Sequence, residues 1–372
     1  MGFKRTVKNA FVWHYIKKEQ FYEEELNLKE IYPQFSTPLT VEEIKEIQNM
    51  WGQVLSLRSL KELEVFKHFN GFDPRYVSHY IYLPVVARKL NDYQYTKFFE
   101  NKSLLGAINT NITCPLVFPK VYCRRINGDF YDTELHQISK NEAVEICANQ
   151  QVLIVKDSVD SAGGKSIAKI KLEELSTEEK KVTVEKEFLE RKRDFVVQEC
   201  VKQSPIMAKF NEKSINTFRI STLYLNGKVS LCNIVLRYGK PHMILDNWGS
   251  GGILCGVDIN GKISSTAWDI QLNSFSECNG MPLESVKFDF IPDVVSKVLK
   301  AHKDNFSLCK FIGWDICIGE NEEPIVIEIN SSQPGIFGEQ ICNGPIFGER
   351  TQEVIDYIKN KPFFYNRALL RY

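Results

Sequence analysis

The sequence lacks a net charge, a long apolar run and any closely paired cysteines. Lys plus Arg and Asp plus Glu both number 47 among 372 residues, so no overall field draws the protein to nucleic acid or anionic lipid. No stretch approaches the ~20 apolar residues of a membrane span, and none forms a signal-peptide core. The ten cysteines never show C-x-x-C spacing, which argues against zinc or redox sites. We therefore expect a cytoplasmic protein with reduced thiols, no nucleic-acid partner and no membrane span.

The chain also lacks the alternation of strand and helix patterns that is typical of a Rossmann domain. Helix signals dominate the N-terminal residues, where Thr40 and Glu43 form a capping-box pattern. Strand patterns dominate the centre and the C-terminal half, with helices expected at 291–303 and 350–359. These patterns predict an α+β enzyme. We divide it into a largely helical N-terminal region at 1–110, a central region at 111–203 and a C-terminal region at 204–372.

The most informative segment is a strand pair at 311–319 and 324–330. A turn centred on Asn321-Glu322 would place one apolar face on the pair, with cross-strand partners Trp314 and Ile329, Ile316 and Ile327, and Ile318 and Ile325. On the opposite face the same register places Asp315 against Glu328. Asn330 lies two residues farther along the same side.

Two carboxylates directly opposite each other repel, so this sheet requires a positive charge between them. Asp315, Glu328 and Asn330 supply the hard oxygen ligands that Mg²⁺ prefers, and Mg²⁺ completes its shell with water and substrate phosphates. The alternatives are that these side chains face solvent or that a lysine bridges them.

Other segments are suited to binding phosphate. Gly163 and Gly164 lie in a short loop whose backbone N–H groups could cradle phosphate oxygens, although Val159 breaks the Walker A pattern. The loop is either a flexible flap between two strands or an ordinary hairpin turn. Lys156 ends an apolar strand just before it, where its ammonium group could reach phosphates or simply be solvated.

Two arginines, Arg219 and Arg237, lie in a hairpin whose turn is Asn226-Gly227. Either could bind the charge that develops on a transferred phosphate. The ideal register pairs Arg237 with Asn216 and puts Arg219 on the opposite face. Either a bulge turns one arginine or only one serves the site.

Taken together, these segments resemble the ATP-grasp superfamily, in particular its sugar-transfer-associated family. The resemblance is most specific in five motifs that follow one another along the chain: Ser214-Ile-Asn-Thr-Phe-Arg-Ile220, Val235-Leu-Arg-Tyr-Gly239, Asp246-Asn-Trp-Gly-Ser-Gly-Gly252, Gly313-Trp-Asp315 and Glu328-Ile-Asn330. The resemblance implies an ATP-grasp fold, in which the nucleotide lies between a central lid domain with a glycine flap and a C-terminal antiparallel-sheet domain.

The resemblance also implies which residues bind the cofactors, ATP and Mg²⁺. The nucleotide-binding residues would be Lys97, Lys156, Gly163, Gly164, Glu199, Val201 and Asn216, with the backbone at Glu199–Val201 meeting adenine. Asp315, Glu328 and Asn330 would hold the metal, and Arg219, Arg237 and Lys156 would be catalytic. Ser204 stands where the family often carries histidine.

This resemblance favours an ADP-forming ligase that joins a carboxylate to an amine through an acyl phosphate. The acceptor expected from the family is a sugar acid of a surface polysaccharide. Two alternatives remain: a kinase on the same fold that phosphorylates a hydroxyl, and a non-catalytic nucleotide-binding partner of a glycosyltransferase.

Overall fold

The computed structural model describes residues 34–52, 57–108, 114–159, 166–243 and 245–361. The N-terminal part of the described chain is helical, as predicted. The capping box between Thr40 and Glu43 begins the first helix. The N-terminal helices are α1 (Val41–Trp51), α2 (Leu57–Asn70), α3 (His79–Ile81), a π-helical segment (Tyr82–Ala87), α4 (Arg88–Leu90), α5 (Tyr93–Glu100) and α6 (Lys102–Ile108). None of the described helices is long and apolar enough to cross a bilayer.

A six-stranded antiparallel sheet follows, within the range expected for the central region. Its strands are β1 (Val121–Ile126), β2 (Asp129–Tyr131), β3 (Gln137–Ile138), β4 (Val152–Asp157), β5 (Ala168–Lys171) and β6 (Phe195–Glu199), in the order β3-β2-β1-β6-β4-β5. Helices α7 (Lys140–Ala148) and α8 (Thr177–Glu190) pack their apolar sides against it. Since β4 pairs with β5, the expected glycine flap has its two flanking strands, while residues 160–165 lie outside the described part.

The larger sheet has seven strands and lies after a short helix, α9 (Pro205–Ala208). Its strands are β7 (Thr217–Leu225), β8 (Lys228–Tyr238), β9 (Ile253–Val257), β10 (Ile263–Trp268), β11 (Ser274–Phe275), β14 (Phe311–Ile318) and β15 (Pro324–Asn330), in the order β11-β10-β9-β8-β7-β14-β15. Strands β12 (Glu277–Cys278) and β13 (Met281–Pro282) pair separately. Helix α10 (Ile291–Asn305) buries an apolar stripe against one face of the large sheet. Helices α11 (Phe337–Asn343) and α12 (Thr351–Asn360) complete the described C-terminal part.

The register of β14 and β15 agrees with the sequence prediction at one end only. Asp315 pairs with Glu328, and Trp314 pairs with Ile329, as expected. A bulge after Asp315 shifts the rest, so Ile316 pairs with Val326 and not with Ile327, and Ile318 pairs with Pro324 and not with Ile325. The turn extends from Gly319 to Glu323, so its centre lies half a residue before the centre predicted at Asn321-Glu322. The bulge compensates for this displacement and restores the expected register at Asp315 and Glu328.

A second bulge changes the β7–β8 hairpin. It lies between Ser221 and Thr222, and beyond it Arg237 pairs with Thr217 instead of Asn216, while Arg219 pairs with Val235. Because Val235 and Arg237 are two residues apart on one strand, Arg219 and Arg237 share a face of the sheet. The prediction of opposite faces is therefore wrong, and the alternative that invoked a bulge is confirmed.

Candidate active site

A row of charged residues crosses three strands of the large sheet. Arg219 on β7 pairs with Asp315 on β14, which in turn pairs with Glu328 on β15. Apolar neighbours such as Phe218 and Ile316 point to the opposite face and pack in the main core. The alternation of polar and apolar residues along each strand thus separates a core face from a face that carries charge.

Asp315 lies at the centre of this row and is almost fully buried. Its Oδ1 accepts hydrogen bonds from Arg219 Nε at 2.6 Å and from Arg237 Nη1 at 2.8 Å. Its Oδ2 accepts from Arg219 Nη2 at 3.2 Å and from Asn330 Nδ2 at 3.2 Å. Burial alone would raise the pKa of Asp315, but the charges of the two arginines outweigh it and lower the pKa to about 2. Asp315 is therefore a carboxylate at neutral pH.

A glycine on β14 gives Arg219 its position. A Cβ atom at Gly313 would lie 3.2 Å from Arg219 Cδ and 3.1 Å from Pro334 Cβ, both closer than ordinary contact. The guanidinium group therefore passes over position 313 to reach Asp315. This explains in physical terms why glycine begins the Gly313-Trp-Asp315 motif.

The partner of Glu328 is Lys102, a residue that the sequence prediction missed. Lys102 Nζ lies 2.9 Å from Glu328 Oε1, and the lysine is largely buried. The first residue of α6 is Lys102, and its backbone N–H donates to the carbonyl of Ser158, just beyond β4. Lys102 therefore connects the two sheets. Lys97 lies one helix earlier, on α5, and its proposed nucleotide contact remains a prediction.

Lys156, which the sequence singled out, occupies the wall that faces these residues. It lies near the end of β4 and is only 8% exposed, and its ammonium group has no hydrogen bond or ion pair with any residue of the described part. Burial lowers the pKa of Lys156 to about 8, with the negative charge of Glu328 opposing this effect and the positive charge of Lys102 adding to it. A buried amine without a bonded counter-ion is costly, and a phosphate oxygen would satisfy it.

The other residues predicted to bind nucleotide lie at the end of β6 and in the loop before β7. Glu199 ends β6 and anchors the strand by accepting from the Lys120 amide, and the backbone N–H and C=O of Val201 have no partner within the described residues. Asn216 is instead fully buried, donating to the carbonyls of Met207 and Asn211. Its side chain closes the loop before β7 and is not part of the charged row.

The glycine-rich segment after β8 contributes a carboxylate, which sequence reasoning did not identify. Asp246 accepts a hydrogen bond from Thr217 and lies 3.6 Å from Arg237. Burial raises the pKa of Asp246, while Arg237 and Thr217 oppose that shift. The glycines behind it serve a tight turn, since Gly251 has a φ of +102°.

Glu339 on α11 is a further carboxylate that the sequence pattern did not indicate. Its Oε2 accepts a hydrogen bond from Ser221 Oγ at 2.7 Å, and its Oε1 lies 4.0 Å from Arg219 Nη1. No described residue forms a hydrogen bond with Oε1, which is buried. Arg219 therefore lies between two carboxylates, Asp315 and Glu339.

Asp315, Glu328 and Asn330 have side chains of the type that binds magnesium, although Arg219 and Arg237 occupy Asp315. Within the described residues, no group of three or more His, Cys, Asp or Glu side chains could hold a metal ion. Two carboxylates and the amide oxygen of Asn330 are nevertheless the chemistry that Mg²⁺ uses when phosphates complete its shell. The side-chain N–H of Asn330 donates a hydrogen bond to Asp315, and this arrangement leaves the side-chain oxygen of Asn330 available as a ligand.

The two antiparallel sheets and the lysine–arginine–carboxylate face between them define an ATP-grasp protein. A family model described as sugar-transfer associated ATP-grasp matches residues 85–356. The chain belongs to that family and has its fold. A comparison with curated proteins gives no significant match.

Solved structures with a similar fold have very different sequences. D-alanyl-alanine synthetase A from Vibrio cholerae has 11% identity and a TM-score of 0.40, with 71% of this chain and 65% of that one covered. An L-amino acid ligase from Bacillus licheniformis has 14% identity and a TM-score of 0.38, covering 71% and 49%. The biotin carboxylase domain of 2-oxoglutarate carboxylase from Hydrogenobacter thermophilus, bound to MgADP, has 12% identity and a TM-score of 0.42, covering 73% and 48%. Similarities of this size assign no residue roles and no substrate.

Proposed function

We propose that the protein is an ATP- and Mg²⁺-dependent ligase that joins a carboxylate to an amine and forms ADP. The observation that carries the proposal is the position of Lys156, a largely buried lysine beside Glu328 and Lys102 whose ammonium group has no ion pair with a described residue. Phosphoryl transfer depends mainly on positioning and charge neutralisation, and this site supplies both.

The proposed nucleotide roles combine the family motifs with the positions of the described residues. Lys156 and Lys102 bind the phosphates, and the backbone at Glu199–Val201 binds adenine. The Gly163-Gly164 loop, which lies outside the described residues, is proposed as the flap that excludes water from the reactive intermediate. Lys97 is a further candidate for nucleotide contact, whereas Asn216 supports the loop that precedes β7.

Asp315, Glu328 and Asn330 would hold the magnesium ion, which would neutralise charge on the phosphates. Arg219 and Arg237 stabilise the negative charge that develops on the transferred phosphoryl group. The carboxylate substrate attacks the γ-phosphorus of ATP, so that an acyl phosphate forms and ADP leaves. The amine then attacks the acyl carbon: the C–N bond forms, the C–O bond breaks, and inorganic phosphate leaves.

The family's association with sugar transfer supports a sugar acid of a surface polysaccharide as the carboxylate substrate. We propose a cytoplasmic location, where ATP is available. We propose neither a nucleic-acid partner nor a membrane-embedded one.

The experiment is a screen for ADP release with ATP, Mg²⁺ and pairs of sugar acids and amino compounds. A ligase requires both substrates, and ¹⁸O from the carboxylate should appear in the released phosphate. A stable phosphorylated product without the amine would instead identify a kinase that acts on a hydroxyl. Tight MgADP binding without turnover by any pair would favour a non-catalytic partner of a glycosyltransferase.

A further inference from the structure

Asp315 has no free lone pair directed at a metal ion in the ligand-free molecule. Each of its oxygens accepts two hydrogen bonds, and among the described residues only Arg219 donates to both. Movement of Arg219 would free one position on each oxygen, while Arg237 would keep the carboxylate paired. Arg219 must therefore find another partner before both oxygens of Asp315 can face a metal ion.

Glu339 is the partner that the structure provides. Its Oε1 is 4.0 Å from Arg219 Nη1, so a shift of about 1 Å would bring the two atoms to hydrogen-bond distance. The same oxygen is buried without a hydrogen bond from any described residue, which is an unfavourable state for a carboxylate. The contact would thus satisfy a group that is unsatisfied in the ligand-free molecule.

The arginine moves in this exchange, because Glu339 is fixed by its surroundings. Ser221 holds the other carboxylate oxygen, and Asn70 Nδ2 donates to the carbonyls of Gln340 and Ile341 on the same helix. The side chain of Gln340 also exchanges two hydrogen bonds with the backbone of Val77. These hydrogen bonds from the N-terminal region hold α11 in place and thereby fix the position of Glu339.

We propose that Glu339 is a positioning residue that takes Arg219 from Asp315 when magnesium-bound nucleotide enters the site. Asp315 is then free to ligate the metal, and Arg219 is held at the phosphates by a second carboxylate. This inference rests on the proposed magnesium–nucleotide site, and it gives the N-terminal helices a function in catalysis.

The exchange has a proton signature. Burial raises the pKa of Glu339 to about 7, against the opposing charge of Arg219, so the group carries a proton part of the time at neutral pH. Closer contact with Arg219 favours the carboxylate and releases that proton. The other polar or titratable groups that face it are Arg219 and Ser221 on β7, Asp315 on β14, Arg237 and Cys232 on β8, and Cys342 on α11.

Isothermal titration calorimetry tests the inference with ADP as the probe, at pH 7, in two buffers of different ionisation enthalpy. Each protein is titrated with ADP plus MgCl₂ and with ADP plus EDTA. Glu339→Gln should release fewer protons with MgADP than the wild type and lose about 10-fold or more of the Mg²⁺-dependent gain in affinity. Its affinity for metal-free ADP should be unchanged. Protons released by ADP itself cancel in the comparison of the two proteins.

Glu349→Gln is a matched control, because this glutamate is exposed and lies away from the charged row. It should behave as the wild type. If Glu339→Gln does not fold, Ser221→Ala keeps the carboxylate but removes a bond that lowers its pKa, so proton release at pH 7 should increase. If Glu339→Gln releases as many protons as the wild type and shows the same Mg²⁺ dependence of affinity, the proposed exchange of Arg219 is wrong. The same result for Ser221→Ala, where it replaces that variant, has the same meaning. Either result would leave the proposed nucleotide site standing. Failure of the wild type to bind MgADP at all would overturn the proposed site as well.

Discussion

Replacement of Lys156 by methionine should stabilise the ligand-free protein while weakening nucleotide binding. Burial lowers the pKa of this lysine from 10.5 to about 8. The lysine is still charged at neutral pH, and burying that charge destabilises the folded state. A shift of that size corresponds to about 3 kcal/mol of unfolding free energy. Methionine keeps the length of the side chain and carries no charge. At pH 7 Lys156→Met should therefore be more stable by up to about 3 kcal/mol.

The pH dependence gives this prediction a distinct sign. The folded-state pKa lies below the unfolded one, so the destabilisation is complete below pH 8. It is relieved as the pH rises from about 8 to 10.5, where the unfolded chain binds the proton more readily than the folded one. Urea denaturation of both proteins at pH 7 and at higher pH should show their difference in stability decreasing.

Nucleotide binding should change in the opposite direction. Loss of one charge-assisted hydrogen bond to phosphate costs about 1.5–3 kcal/mol, which predicts about a 10- to 100-fold weaker affinity for MgADP by calorimetry. Lys169→Met is the matched control, because Lys169 is an exposed lysine on the neighbouring strand β5. It should leave both quantities nearly unchanged. A Lys156→Met protein that is less stable than the wild type at pH 7, or binds MgADP equally well, would refute the reasoning.

Two other substitutions test the charged row. Asp315→Asn leaves the buried Arg219 and Arg237 without their shared carboxylate, so urea denaturation should show a loss of about 3–5 kcal/mol, and unchanged stability would contradict the ion pairs described here. Lys102→Met removes the ion pair to Glu328 and should weaken MgADP binding about 10-fold, whereas Lys97→Met should have a smaller effect; calorimetry that gives the reverse order would make Lys97 the nucleotide-binding lysine.

The elements of the large sheet could be predicted because their signals are local. Asn226-Gly227 and the alternating residues on either side of it define the β7–β8 hairpin without help from the rest of the chain. The pairing of Asp315 with Glu328 was also predicted, but it is correct because the bulge after Asp315 compensates for the displaced turn. The family resemblance likewise depends on short motifs that the printed sequence displays.

The bulges could not be predicted from these signals. An extra residue in one strand changes which side chains share a face, and its cost or benefit depends on packing across the whole sheet. One bulge brings Arg219 to the side of Arg237, and the other shifts Ile316 and Ile318 from their expected partners. Only the three-dimensional structure shows that both arginines bond to Asp315.

The sequence by itself determined the strands and the family, because each of these depends on residues that lie close together along the chain. The acidic pair also depends on a bulge that packing decides. The tertiary structure decided which positive charges meet that pair. Lys102 and Glu328 are far apart in sequence, and Glu339 lies 4.0 Å from Arg219 on a helix that the N-terminal region contacts. Contacts of this kind are set by the packing of whole elements, and no local pattern of residues records them.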